Sequence, residues 1–138
     1  MTLRWTDTGK WDDKWFRTLK PIEKLLFNYI CDNCDCAGFW EIDTEYAAWI
    51  IGINPEVIEA ALKGLEKCYF KNERFLALKN FLFHQGNLPL NRKNKCHLGI
   101  MKRLGQHVDL WERLKEYWSS KNYVTFEHNL FSSGRKSK

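Results

Sequence analysis

The chain has 138 residues, 44% hydrophobic and 15% aromatic, enough for one core and too apolar for a chain disordered throughout. No run approaches the roughly 18 apolar residues of a membrane span, and Met1-Thr2-Leu3-Arg4-Trp5-Thr6-Asp7 lacks the apolar stretch of a secretory signal. The formal charge of +5 is unevenly placed: residues 1–88 hold 11 Lys and Arg against 13 Asp and Glu, a net of −2, whereas residues 89–138 hold 11 against 4, a net of +7. A cytoplasmic location is expected, with the five Cys as free thiols in a reducing compartment. The charge split bears directly on where any nucleic acid could bind.

Residues 1–17 form an aromatic lead-in carrying Trp5, Trp11, Trp15 and Phe16. The i, i+4 spacing of Trp11 and Trp15 predicts a short helical piece, whose rings either cap the core or offer a partner a platform. One domain is predicted over 18–86. Its first long helix, over 18–33, places Ile22, Leu25, Leu26, Tyr29 and Ile30 on one stripe, with Pro21 in the first turn. The polar run Asp32-Asn33-Cys34-Asp35-Cys36-Ala37-Gly38 breaks the helix, and a short strand follows over 39–42. Asp43 or Thr44 caps a second helix, whose apolar members Tyr46, Ala47, Trp49, Ile50 and Ile51 end at Gly52. Asn54-Pro55-Glu56 starts a third helix, reaching about residue 67, with Val57, Ile58, Ala61, Leu62 and Leu65 toward the core. Cys68-Tyr69-Phe70 and Phe75-Leu76-Ala77-Leu78 read as strands joined by the turn Lys71-Asn72-Glu73-Arg74, and a helical turn over 80–85 closes the core with Phe81, Leu82 and Phe83.

The cluster Gly86-Asn87-Leu88-Pro89-Leu90-Asn91 predicts a boundary. Beyond it a basic helical extension, 90–121, holds two helices. The first, 92–106, sets Cys96, Ile100, Met101 and Leu104 against Arg92, Lys95, Lys102 and Arg103 on the opposite side. The second, 108–120, carries Leu110, Trp111, Leu114, Tyr117 and Trp118 at three–four spacing. Residues 122–138 form a tail, strand-like at Tyr123-Val124-Thr125-Phe126 and basic and disordered over 132–138.

Cys31, Cys34 and Cys36 could give three thiolates to zinc, with His84 or His97 as a fourth ligand. However, Cys31 belongs to a helix stripe, and Cys68 and Cys96 stand alone, so ordinary thiols and no metal are expected. His84, His97, His107 and His128 are scattered, and no phosphate loop, nucleophile elbow or metalloprotease helix occurs, so neither catalysis nor a cofactor is expected. The third helix is a poor reader of bases. Its polar residues are Glu56, Glu59, Lys63, Glu66 and Lys67, with no Arg, Gln or Asn after the Asn54 cap.

A buried helix, a polar turn, a short strand, two more helices and a hairpin follow the order of a winged-helix domain. Residues 11–85 resemble the N-terminal winged-helix domain of phage replisome organisers and DnaD-like primosomal proteins. The likeness is carried by W-D-D-K-W-F-R-T-L-K-P-I-E-K-L-L-F-N-Y-I, by C-D-N-C-D-C-A-G-F-W-E-I and by F-L-A-L-K-N-F-L-F-H-Q. The fold expected is mainly α: a three-helix core with a short β-hairpin wing, then a C-terminal helical extension. The resemblance implies a non-enzymatic replication accessory protein, with self-association in the winged-helix part and a C-terminal region that engages DNA or a helicase loader, so that other replication proteins are expected as partners besides DNA. The longer C-terminal helical domain usual in such families is expected to be absent or shortened here.

DNA is then expected at Lys71 and Arg74 in the wing and at Arg92, Lys95, Lys102 and Arg103, largely without regard to sequence. Self-association is expected through Trp5, Trp11, Trp15, Trp111 and Trp118. The competing readings are a replisome adaptor with little DNA binding and a winged-helix transcriptional regulator.

Overall fold

The structure, a computed structural model, describes residues 2–127, so His128 and the basic tail expected over 132–138 lie outside it. The lead-in is two pieces rather than one helix. A 3-10 turn, Thr8–Asp12, is followed by α1, Lys14–Arg17, because Asp13 is extended and its carboxylate caps the second piece at Phe16 N–H. Only Phe16 is buried there. The predicted long helix begins at Pro21, not residue 18: α2 spans Pro21–Asn33, and the Glu23 carboxylate accepts from the Lys20 N–H at 2.8 Å. Glu23 is buried where α2 meets the next-but-one helix, and a methyl group on Gly64 would come within 2.0 Å of its Oε2. That close approach is what glycine permits at position 64. Leu25, expected inside, is 51% exposed.

Asp35 organises the turn after α2. Its Oδ1 accepts from the N–H groups of Ala37 and Phe39 at 2.9 and 3.0 Å. Gly38, at φ +90°, lies against Phe81, where a Cβ would meet the Phe81 Cβ at 2.9 Å. Then come β1 (Phe39–Glu41), α3 (Thr44–Ile51, capped by Asp43) and α4 (Pro55–Gly64, capped by Asn54). The third helix is therefore shorter than predicted, and residues Glu66–Cys68 tighten into a 3-10 turn. The strands β2 (Tyr69–Lys71) and β3 (Phe75–Leu78) complete a three-stranded antiparallel sheet in the order β1-β3-β2. In its register Phe39 faces Ala77 and Tyr69 faces Leu78.

Beyond α5 (Phe81–His84), α6 (Lys95–Gly105) begins three residues later than predicted, because Asn94 caps it through the N–H groups of Cys96 and His97. Cys96, expected on the apolar side, is exposed; the buried side is His97, Ile100 and Leu104. In α7 (Val108–Ser120), Leu110, Leu114 and Trp118 are buried as a stripe. The predicted boundary at 86–91 does not separate two cores. Buried residues from Phe16 to Trp118 form one cluster, α7 packs against the outer strand β2, and Leu90 bridges Phe126 in parallel. The architecture is thus α+β and mainly helical among the described residues. None of its helices is long and apolar enough to cross a membrane.

Candidate nucleic-acid interface

The six cationic side chains expected to meet DNA fall into two groups. Lys95 and Lys102 project from the side of α6 opposite His97, Ile100 and Leu104, and Arg92 is exposed in the turn before it. None of the three is ion-paired among the described residues; the Arg92 guanidinium lies 5.5 Å from the Phe126 ring centre. These side chains are free to meet phosphate.

Arg103 differs: the sequence reading set it on the open side with Arg92, Lys95 and Lys102, whereas the structure holds it half-buried in an ion pair. Its Nε donates to Asp35 Oδ2 at 2.7 Å, both side chains being about two-thirds or more covered, and it lies 6.0 Å from the Phe39 ring centre. Asp35 thereby ties α6 to the turn that precedes β1. Of the two wing cations, Arg74 is ion-paired, whereas the Lys71 ammonium has no ion pair among the described residues. Arg74 pairs with Glu41 at 2.6 Å, an exposed pair of the kind that contributes at most about 1 kcal/mol. Lys71 is exposed, but the hairpin does not project. Asn72 Nδ2 donates to Asp109 Oδ2 at 3.0 Å, Arg113 Nη1 donates to the Lys71 carbonyl at 3.3 Å, and the Arg113 guanidinium stacks over Phe70. The predicted wing is braced on α7, with Glu73 and Asp109 beside its tip.

The five tryptophans expected at a self-association surface are scattered. Trp118 is fully buried, its Nε1 donating to the Lys79 carbonyl at 2.7 Å, so it cannot face a partner; its neighbour Trp111 is half-buried. Trp15 packs edge-on against Phe27 and Trp11 against Phe16. Trp5 is 78% exposed, with its backbone held twice by the Gln85 amide.

Burial pushes the Cys31 thiol up to about 11 and the Cys34 and Cys68 thiols higher still, so these three are protonated thiols rather than thiolates at neutral pH. No group of three or more His, Cys, Asp or Glu among the described residues is placed to share a metal ion. A cleft of about 590 Å³ lies under the lead-in, walled by Arg4, Lys10, Phe27, Asn80, Phe81 and Tyr123 among others. Cys31, Asp32, Cys68 and His84 also line it. His97 is fixed structurally: its Nδ1 accepts from the Asn91 N–H at 2.9 Å, and its Nε2 faces Asn87 Oδ1 at 3.2 Å.

One surface is invisible to sequence periodicity. Tyr46, Trp49 and Ile50, read from the sequence only as apolar members of the second helix, are 54%, 75% and 49% exposed, while Ala47 and Ala48 turn inward. The run from Tyr46 to Ile51 is apolar all round, so periodicity could not choose a face; the two alanines were the signal, since small residues suit a close approach to α4.

Compared with known proteins, the chain matches no family model, no curated protein and no solved structure.

Proposed function

We propose that the protein is a non-enzymatic, phage- or prophage-type DNA-replication accessory protein of the replisome-organiser kind. In this reading it holds DNA through phosphate contacts made by α6. The observation that carries the proposal is the unpaired cationic set Arg92, Lys95 and Lys102, set on and just before a helix whose opposite face is anchored in the core. The order α2-β1-α3-α4-β2-β3, with β3 central in the sheet, supports a winged-helix reading of the first part. The exposed residues of α4 include Glu56 and Glu59, which would face phosphates unfavourably and argue against that helix as a base reader.

Phosphate contacts give sequence-independent affinity that falls by roughly 0.9 log units per contact for each decade of salt. The test is a duplex-DNA titration over several salt concentrations. Replacing Arg92, Lys95 and Lys102 by Ala should weaken binding to all sequences alike and flatten the salt dependence by about one unit for each cation removed. Replacing Lys63 and Lys67 should change little. The opposite pattern would make α4 the reader and overturn the assignment. The adaptor reading has one observation in its favour, the exposed Tyr46–Trp49–Ile50 face, and wild-type protein that ignores DNA even at low salt would favour it.

A further inference from the structure

Two faces of this molecule complement one another. The first is apolar. Tyr46, Trp49 and Ile50 recur on α3 at i, i+3 and i+4, Ile53 follows just past the Gly52 that ends the helix, and all four are at least 36% exposed; the Tyr46 and Trp49 rings lie 5.9 Å apart. Its rim is net acidic: Glu45 on α3 and Glu56 and Glu59 on α4 are exposed and make no ion pair among the described residues, with one lysine, Lys63, on the same arc of α4. A second copy of the same face would bring acid against acid, so two-fold packing of the patch on itself is disfavoured.

The second face is the outer side of α6. Lys95, Leu98, Gly99, Lys102 and Gln106 lie within one arc of the helix and are all exposed, and Leu98 is 49% exposed. Gly99 sits between the two lysines, and a Cβ there would touch nothing within 4 Å. The fold makes no use of the missing side chain, yet mid-helix glycine weakens a helix. Position 99 is thus a gap in the helix surface, with Leu98 beside it and a lysine on either side, opposite in charge to the face around Trp49.

We propose that the face of α3 and α4 on one copy docks onto the outer face of α6 on a second copy, with Trp49 seated at Gly99 and the glutamates over Lys95 and Lys102. This interface needs no DNA to form and goes beyond the function proposed above. Because the two faces differ, the contact is head-to-tail, and successive copies extend into a ring or an open chain rather than stopping at two.

The test is light scattering and sedimentation of the whole chain at tens of micromolar, without DNA. Wild-type mass should rise with concentration past a dimer and fall as salt is raised. Trp49→Lys and Gly99→Gln, both at positions where the fold has room, should each give a monomer with unchanged circular dichroism, Trp49→Lys melting as the wild type and Gly99→Gln no lower than it. Charge reversal discriminates further. Glu45→Lys with Glu59→Lys, and Lys95→Glu with Lys102→Glu, should each be monomeric alone and should associate when mixed, since mixing sets opposite charges against each other again. A wild-type monomer at low salt would overturn the proposal. So would an assembly that stops at a dimer and survives both reversals, or reversal variants that stay apart when mixed. DNA affinity enters none of these readings, so this proposal and the phosphate-binding one fail separately.

Discussion

His107 shows how one side chain couples the chain's two halves. It sits at the junction of α6 and α7 with its ring against Phe39, at 4.5 Å, and Phe75, at 4.4 Å, and its Nε2 is buried without a hydrogen-bond partner. Burial, then the Arg103 guanidinium, pushes its pKa below the ordinary imidazole value; Arg74 acts in the same sense, whereas Asp35 and Asp109 oppose it. The folded state thus binds the proton less readily than the unfolded chain. Stability from the neutral ring is complete above the unfolded value of about 6.5, and is lost as pH falls from there to the lower folded value. Denaturant titrations at neutral and mildly acidic pH should therefore show His107→Phe losing less stability on acidification than the wild type. An equal loss in both would place the acid sensitivity elsewhere. The same neighbourhood explains why Arg103 is structural: its partner Asp35 also accepts from Ala37 and Phe39, so one carboxylate holds a turn and a helix together.

At the scale of elements, Trp118 and Trp49 are one residue type with opposite fates. Trp118 is fully buried under α7 and hydrogen-bonded, whereas Trp49 is 75% exposed. Trp118→Ala should cost about 3–5 kcal/mol, and Trp49→Ala should stay within roughly 0.5 kcal/mol of the wild type, both read from denaturant midpoints under monomeric conditions. The reverse ranking would mean that the faces of α3 and α7 are wrongly assigned. The stripe in α7 was legible because its apolar residues alternate with Asp109, Glu112, Arg113, Lys115 and Glu116. In α3 no polar residue after Glu45 breaks the apolar run, so only packing on α4 decides which side is wet. The caps at Asp43 and Asn54 and the helix start at Pro21 were legible because they act through local chemistry. The ion pair Arg103–Asp35 and the brace Asn72–Asp109 join residues 68 and 37 positions apart, which no local pattern reports. Of the expected DNA set, tertiary structure thus holds Arg103 and Arg74 in ion pairs. Arg92, Lys95 and Lys102 remained open because no acidic side chain folds back onto them.

For the whole molecule, the charge split and the two proposals meet on one helix. Residues 1–88 carry a net −2 and residues 89–138 a net +7, so the chain holds an acidic-rimmed face and a basic face at once. If α6 serves both phosphate and a neighbouring copy, the two occupants exclude each other: a duplex bound at Lys95 and Lys102 leaves no room for Trp49 of the next copy. Short duplex DNA should then dissolve the head-to-tail assembly into protein–DNA complexes of defined size. Linkage gives a second consequence. Whatever assembly withholds from α6 must be returned before DNA binds, so at protein concentrations where the wild type assembles its apparent DNA affinity is reduced by the fraction of α6 faces left free. Trp49→Ala removes the knob without changing any charge. It should bind DNA more tightly than the wild type at high protein concentration and equally at low concentration, in the same buffer. Equal affinity at both concentrations, with the wild type shown to be assembled, would mean that docking and DNA use different parts of the surface. Weaker binding by Trp49→Ala would mean that assembly helps DNA binding, which mutual exclusion at α6 forbids.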